Sequence, residues 1–218
     1  MSARDAILRR VRAALDGDPD FGPPPSYELW PEGTWPPPDD LFARFVEELQ
    51  RVQGEGRRFA TVEDARQFVQ ALHAELGGPR TVVVDHPRCR AVGDAVPHHE
   101  MLAPAMDRER LAAIRLGVLP AEFLLADTGT AILLPRSHAE RLLCYLPEVT
   151  VVVAGPGSVV AHLSDVWERI TAAAKDVGLR GEMVLVTGPS RTADIEKKLV
   201  LGAHGPKRLV ALLLDERV

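Results

Sequence analysis

The sequence predicts an α/β fold built on a mostly parallel sheet with helices on both faces. Three observations predict it. From residue 149 onward the pattern runs strand, helix, strand, helix, strand: Val149–Val153, a helical stretch over 158–177, Met183–Val186, a helical stretch over 192–201, and Leu209–Leu214. Connections of that length make crossovers between parallel neighbours rather than hairpins. The strand segments are continuous apolar runs, the pattern of strands buried on both faces.

The N-terminal half supplies helices before it supplies strands. Residues 2–15 place Ile7, Leu8, Val11 and Leu15 at helical spacing after Ser2, a short amphipathic helix. Eight of the twenty residues from Pro19 to Pro38 are proline, so neither a helix nor a central strand forms there. This segment reads as an extended strap carrying Trp30 and Trp35, or as an arm anchored by them on a partner. Asp39 or Asp40 then caps a helix to about Gln53, with Leu41, Phe42, Phe45, Val46 and Leu49 on one face, ended by Gly54 and Gly56. Thr61 caps a second helix, residues 62–76. The expected organisation is therefore an arm over 1–38 and an α/β domain over 39–218, whose first part, 39–76, is a helical subregion.

Thr81–Val84 is a short β-branched run and reads as a buried strand. Residues 85–106 hold His86, Cys89, His98 and His99. His86-x-x-Cys89 and His98-His99-Glu100 lack a second ligand pair at a recognised spacing, so no metal site is expected. Residues 107–116 read as a helix closed by Gly117. Between Glu122 and Pro135, two apolar runs flank Asp127-Thr128-Gly129-Thr130. That is a β-hairpin with Gly129 where φ must be positive, and both of its faces are expected to be covered. Its polar tip reads either as a simple Asx or ST turn or as a source of hydroxyls and N–H groups for a bound oxyanion. Ser137 caps a short helix to Cys144. Gly155-Pro156-Gly157-Ser158 is an incomplete dinucleotide fingerprint, since Val160 stands at the third glycine position, so no nucleotide cofactor is expected.

The densest chemistry lies in Thr187-Gly188-Pro189-Ser190-Arg191-Thr192-Ala193-Asp194-Ile195-Glu196. Read as strand, turn and first helical turn, it points N–H groups, hydroxyls, a guanidinium and carboxylates at one small volume. Gly188, Ser190, Arg191 and Thr192 are candidate anion ligands. Asp194 and Glu196 are candidate general bases or nucleophiles. Simpler roles stand beside these: an N-cap for Ser190 or Thr192, a dipole-facing carboxylate for Asp194, a solvated helix residue for Glu196. His204 has no partner at a recognisable spacing, and a structural role is its simplest reading. On the parallel-sheet scheme, this loop and the Gly155–Ser158 loop both lie at the carboxyl edge of the sheet, where open α/β sheets bind ligands.

Composition limits the function classes. The chain has 218 residues and a net charge of −5, so neither nucleic acid nor an anionic membrane surface is an expected partner. No apolar run is long enough to span a bilayer. The first residues carry no secretory signal, and the expected compartment is the cytoplasm. Two separated cysteines, Cys89 and Cys144, argue against a disulfide framework, a thiolate zinc site or an iron–sulfur cluster.

The segment Thr187–Glu196, followed by Gly202-Ala203-His204-Gly205-Pro206 before a strand, resembles the closing signature of the LUD (lactate-utilisation) domain family. Ala126-Asp127-Thr128-Gly129-Thr130 resembles that family's other signature, in the same order and at a matching separation. The resemblance covers residues 40–215 and leaves the proline-rich segment outside. It implies a three-layer, Rossmann-like α/β/α core similar to the sugar-phosphate isomerase and CoA-transferase superfamily. A short chain without cysteine clusters is similar to the C branch of the family. That implies work beside two iron–sulfur proteins in oxidising L-lactate to pyruvate, with electrons carried by those partners and no cofactor of its own. The motif positions then become a candidate site for a small organic acid or a phosphorylated ligand: Thr128, Gly129, Thr130, Gly188, Ser190, Arg191, Thr192 and His204, with Asp194 or Glu196 moving protons. A stand-alone isomerase or acyl-CoA-transferase using a carboxylate, and a non-catalytic scaffold subunit able to self-associate, remain the alternatives.

Overall fold

A computed structural model describes residues 3–16, 40–173, 175–176, 182–192, 200–201 and 205–218. The chain divides into two units, residues 1–36 and 37–218. In the first, helix α1 (Ala3–Asp16) leaves Ile7, Leu8 and Val11 exposed. The proline-rich segment, with Trp30 and Trp35, lies outside the described residues.

The second unit is a three-layer α/β/α domain. Six parallel strands, β1 (Glu55–Phe59), β2 (Thr81–Val83), β3 (Glu100–Met101), β4 (Leu116–Pro120), β7 (Val149–Ala154) and β12 (Arg208–Leu214), stand in the order β1–β12–β7–β4–β2–β3. The inner strands are buried along almost their whole length, as their uninterrupted apolar runs require. Alternation assigns the covering helices. A side chain at Gly56 would strike Val46 of α2 (Leu41–Arg51), and one at Gly117 would strike Leu143 of α6 (His138–Leu143). Gly56, Ala211, Val152 and Leu119 align across the strands, and Gly117 shares their parity, so α2 and α6 cover one face. Val83 meets Gly93 of α4 (Pro87–Gly93) on the other face, and Phe59 packs on Phe68 of α3 (Val62–Glu75), 5.5 Å between ring centroids. The predicted caps hold: Asp40 accepts from the Phe42 and Ala43 N–H groups, Thr61 from Asp64 and Ser137 from Glu140.

A second sheet of four strands holds the predicted hairpin. Its order is β8 (Val159–Val160), β5 (Phe123–Leu125), β6 (Thr130–Leu133), β9 (Val184–Val186). The β5–β6 pairing is antiparallel, with Gly129 at φ 65°. Both hairpin faces are covered. Leu124, Ala126, Ala131 and Leu133 join the main core, while Phe123, Leu125 and Ile132 pack with Val166 and Ile170 in a separate cluster.

Several expectations are corrected. Gly56 does not end the α2 helix but lies inside the edge strand β1, where Val46 occupies the space of a Cβ. Gly117 lies inside the near-central strand β4 instead of closing a helix, and the preceding helix α5 (Arg108–Ala112) ends five residues earlier. The helix expected over 158–177 is β8, a 3-10 turn (Leu163–Val166) and α7 (Trp167–Ala173), with Trp167 exposed. Val184–Val186 is not a strand of the parallel sheet. It pairs antiparallel with β6, because β12 already has β1 and β7 on its two sides. The helix expected over 192–201 is replaced at both ends by a short antiparallel pair, β10 (Arg191–Thr192) with β11 (Val200–Leu201).

Ion pairs line the amino edge of the main sheet. Arg80 and then Arg110, by hydrogen bonding, hold the Glu100 carboxyl below its ordinary range. Arg115 and then Lys207 do the same for Glu148. Arg208 spans Glu55 and Glu75.

Candidate functional site

The two polar signatures meet in the second sheet. Val160 pairs with Leu125, Leu125 with Thr130, and the β6–β9 register sets Thr130 beside Thr187. These four residues form one cross-strand row, and the polar residues lie in it or just beyond it on one edge of the sheet. Thr130 is buried and Thr187 exposed, and their hydroxyl oxygens are 2.7 Å apart. Two residues past Leu125 is Asp127; two residues past Val160 is His162. The His162 Nδ1 lies 3.0 Å from the Asp127 Oδ2, and Thr128 donates its hydroxyl to the other carboxylate oxygen at 3.1 Å. The main chain fixes both partners: Asp127 N–H donates to the Ala161 carbonyl, and His162 N–H donates to the Asp165 carboxylate. The His162 side chain also accepts from the Asp165 N–H, so a reciprocal capping box with Asp165 starts the 3-10 turn.

The glycines of both signatures serve packing. A Cβ on Gly129 would lie 2.8 Å from the Glu48 carbonyl carbon and from the Leu49 Cα. One on Gly188, at φ 79°, would lie 2.8 Å from the Val52 carbonyl oxygen. Both turns thus seat against the last turn of α2. Ser190 is drawn elsewhere: its N–H donates to the Pro206 carbonyl at 2.8 Å, just ahead of β12.

This corrects the expected location. The Gly188–Ser190 loop borders Val52, ahead of β1, and Pro206, ahead of β12. It therefore lies toward the amino edge of the main sheet, not its carboxyl edge, because β9 runs antiparallel in the second sheet. The Gly155–Ser158 loop does follow β7 at the carboxyl edge, against the Arg88 side chain. Arg191 is exposed and Thr192 is a strand residue, so neither starts a helix. Thr128, Gly129, Thr130 and Gly188 are gathered around α2 and the second sheet, while Ser190 bonds to Pro206 and Arg191 lies in β10. Asp194, Glu196 and His204 lie outside the described residues. His162 escaped the sequence reading because a helix was expected across 158–177, and Asp127 was read only as a turn residue. The β-branched pair Val159-Val160 after Pro156-Gly157 was the available signal.

The carboxyl edge holds a small apolar cleft lined by Val84, Leu119, Leu133, Pro135, Glu140 and Cys144. Both thiols are inert: burial pushes Cys144 up to about 12 and raises Cys89 further. His86 caps α4, its Nδ1 accepting the Arg88 N–H at 3.2 Å. Burial, and next the Arg88 charge, lower its pKa from the ordinary 6.5. The unfolded chain therefore binds the proton more readily, and stability present above pH 6.5 falls as the pH drops below it. Replacing His86 with asparagine, a non-titrating cap, is expected to flatten that acid-side loss; urea unfolding between pH 5 and 8 checks it. Among the described residues, no three His, Cys, Asp or Glu side chains stand close enough together to hold a metal ion. Likewise, no described helix is long and apolar enough to cross a membrane.

The fold and the site define a three-layer α/β/α protein with a satellite sheet that joins two hydroxyl-bearing signatures. Residues 42–214 match the LUD domain, and the chain belongs to that family. It is 26% identical over 233 aligned positions to "Lactate utilization protein C" of Geobacillus thermodenitrificans, covering 98% of this chain and 97% of that one. It is 24% identical to the "Uncharacterized protein YkgG" of Escherichia coli, covering 81% of this chain and 79% of that one. Among solved structures, a DUF162 family protein from Deinococcus radiodurans has the same fold at a TM-score of 0.58 and 16% identity, covering 80% of this chain and 96% of that one.

Proposed function

We propose that the protein is a cytoplasmic subunit of a lactate-utilisation system that supports oxidation of L-lactate to pyruvate. Iron–sulfur protein subunits would be its partners, and a small organic acid or phosphate its ligand. The observation that carries this reading is the end-to-end likeness to a protein named for lactate utilisation, 98% of this chain against 97% of that one. The joining of the two family signatures through the Thr130–Thr187 hydroxyl pair supports a ligand site there. Hydroxyls at a sheet edge suit a small oxyanion, by donating hydrogen bonds rather than by a helix dipole. Deleting the gene is expected to abolish or strongly slow growth on L-lactate while leaving growth on pyruvate unchanged. Restoring the wild-type gene is expected to restore growth. Unimpaired growth of the deletion strain on L-lactate would overturn the reading.

One observation favours a second reading, a scaffold subunit without a ligand: Gly129 and Gly188 have a complete packing explanation against α2. On that reading, Ser190→Ala and Arg191→Ala leave growth on L-lactate intact, and changes at Trp30 or Trp35 break assembly.

A further inference from the structure

We infer that Arg88 is the anion-gripping residue of a second ligand site, at the carboxyl edge of the main sheet, where its open guanidinium fork takes the carboxylate of a short-chain monocarboxylic acid and His86 donates beside it. Topology sets the place. β2 and β4 are neighbours, yet the chain leaving β2 enters α4 on one face of the sheet, and the chain leaving β4 leads through the second sheet to α6 on the other. Such a reversal leaves a crevice at the strand ends, the usual ligand position of open α/β sheets. It lies at the opposite end of the hairpin from the Thr130–Thr187 pair. Glu122 N–H donates to the Ile132 carbonyl near the crevice, whereas Thr130 opens β6 at the other end.

Arg88 spans the crevice. Its Nη1 donates to the Ala121 carbonyl, just past β4, at 2.9 Å. Its stem lies over Gly155, just past β7, where a Cβ would come within 3.2 Å of the Arg88 Cδ. Two strand ends thus hold a half-buried guanidinium, and the bond at Nη1 leaves Nε and Nη2 as a parallel pair of donors. Arg80 and Arg208 turn that same pair onto a carboxylate, of Glu100 and Glu55 respectively. Among the described residues, no carboxylate occupies the pair on Arg88. A half-buried cation bonded only to a neutral carbonyl lacks its counter-charge, and a planar fork grips a carboxylate with two bonds at once.

His86 supplies the third donor. Its Nδ1 accepts the Arg88 N–H, so the neutral ring carries its proton on Nε2. Among the described residues, nothing accepts from that Nε2. The Arg88 N–H is itself occupied by the ring, so the site is made of side chains and not of the α4 terminus. The surroundings decide the ligand class. Val84, two residues before His86, and Pro120, beside Ala121, line the small cleft together with Leu119, Leu133 and Pro135. This lining is almost wholly apolar, so it suits an alkyl group and not the further oxygens of a phosphate.

The test is NMR of the full chain with nitrogen-15 arginine and histidine, titrated with butyrate or inorganic phosphate. Butyrate is expected to shift the Arg88 Nε–H and His86 Nε2 signals saturably, and phosphate to bind more weakly. Arg88→Gln keeps an amide donor for the Ala121 carbonyl and is expected to weaken butyrate binding by about tenfold or more, the scale of one hydrogen bond between charged groups. Arg88→Lys is expected not to restore it, because an ammonium is a point charge without the fork. Butyrate binding unchanged in Arg88→Gln would overturn the inference, as would absence of binding by both probes. Tighter binding of phosphate than of butyrate would overturn the ligand class. Glu122 is the carboxylate whose charge reaches His86 from β5. An Arg88 Nε–H signal moved by Glu122→Gln in the free protein would show the fork already filled and overturn the site. Where Arg88→Gln does not fold, Arg88→Lys assigns the signal and the wild-type titration decides. None of these outcomes bears on the pathway reading, which stands or falls on the gene deletion.

Discussion

Gly129→Ala is expected to destabilise the domain by about 3 kcal/mol or more, lowering the unfolding midpoint by about 10 °C. Two costs add. The residue sits at φ 65°, where a side chain costs roughly 1–2 kcal/mol. The new Cβ would also strike the α2 backbone at Glu48 and Leu49, and backbone atoms do not swing aside as a side-chain tip does. Relief means lifting the hairpin off the helix, at about 1–3 kcal/mol more. Gly157→Ala is the control. It has nearly the same dihedral, φ 77°, with open space around the Cβ, so it bears only the first cost. Urea unfolding of both variants checks the difference. Equal losses for the two would sink the idea that Gly129 is required by its seat on α2.

Phe45→Ala is expected to cost about 3–5 kcal/mol, the range for truncating a fully buried aromatic. Phe45 is 0% exposed and stacks on Phe42 with ring centroids 5.7 Å apart. It lies on α2, which packs against β1 of the main sheet and touches β5 and β8 of the second. Its loss leaves a cavity where the two sheets share a helix. Leu146→Ala, at a residue 40% exposed, is expected to stay within about 0.5 kcal/mol. A loss below about 1 kcal/mol at Phe45 would mean that α2 does not couple the sheets.

Much of the fold was legible locally. The caps at Asp40, Thr61 and Ser137 each announce a helix, since each satisfies N–H groups that the helix leaves open. The β-branched runs at 81–83 and 149–154 are strands because few other places suit continuous β-branched apolar residues. The hairpin turn is explicit in Asp127–Thr130. What escaped was legible only through partners. Glu55-Gly56-Arg57-Arg58-Phe59 has no apolar period, yet it is a strand, because the exposed edge of β12 offers it a ladder of hydrogen bonds. Gly117 interrupts its strand because α6 needs the space. The candidate site was half legible. Its threonines and glycines stood in recognisable motifs, while the histidine beside Asp127 came from a third segment with no motif at all.

The sequence by itself determined the α/β class, the caps, the hairpin, the buried strands and the LUD resemblance, because each depends on short-range periodicity or on residue types at fixed spacing. Only the tertiary structure decided where Val184–Val186 pairs. That choice turned on which strand edge was still open: both sides of β12 were taken, and the free side of β6 was not. It moved the closing signature from the carboxyl edge of the main sheet to the satellite sheet, and set Thr187 beside Thr130 across 57 residues of chain. Competition among strand edges is a property of the assembled chain, and no window of sequence contains it.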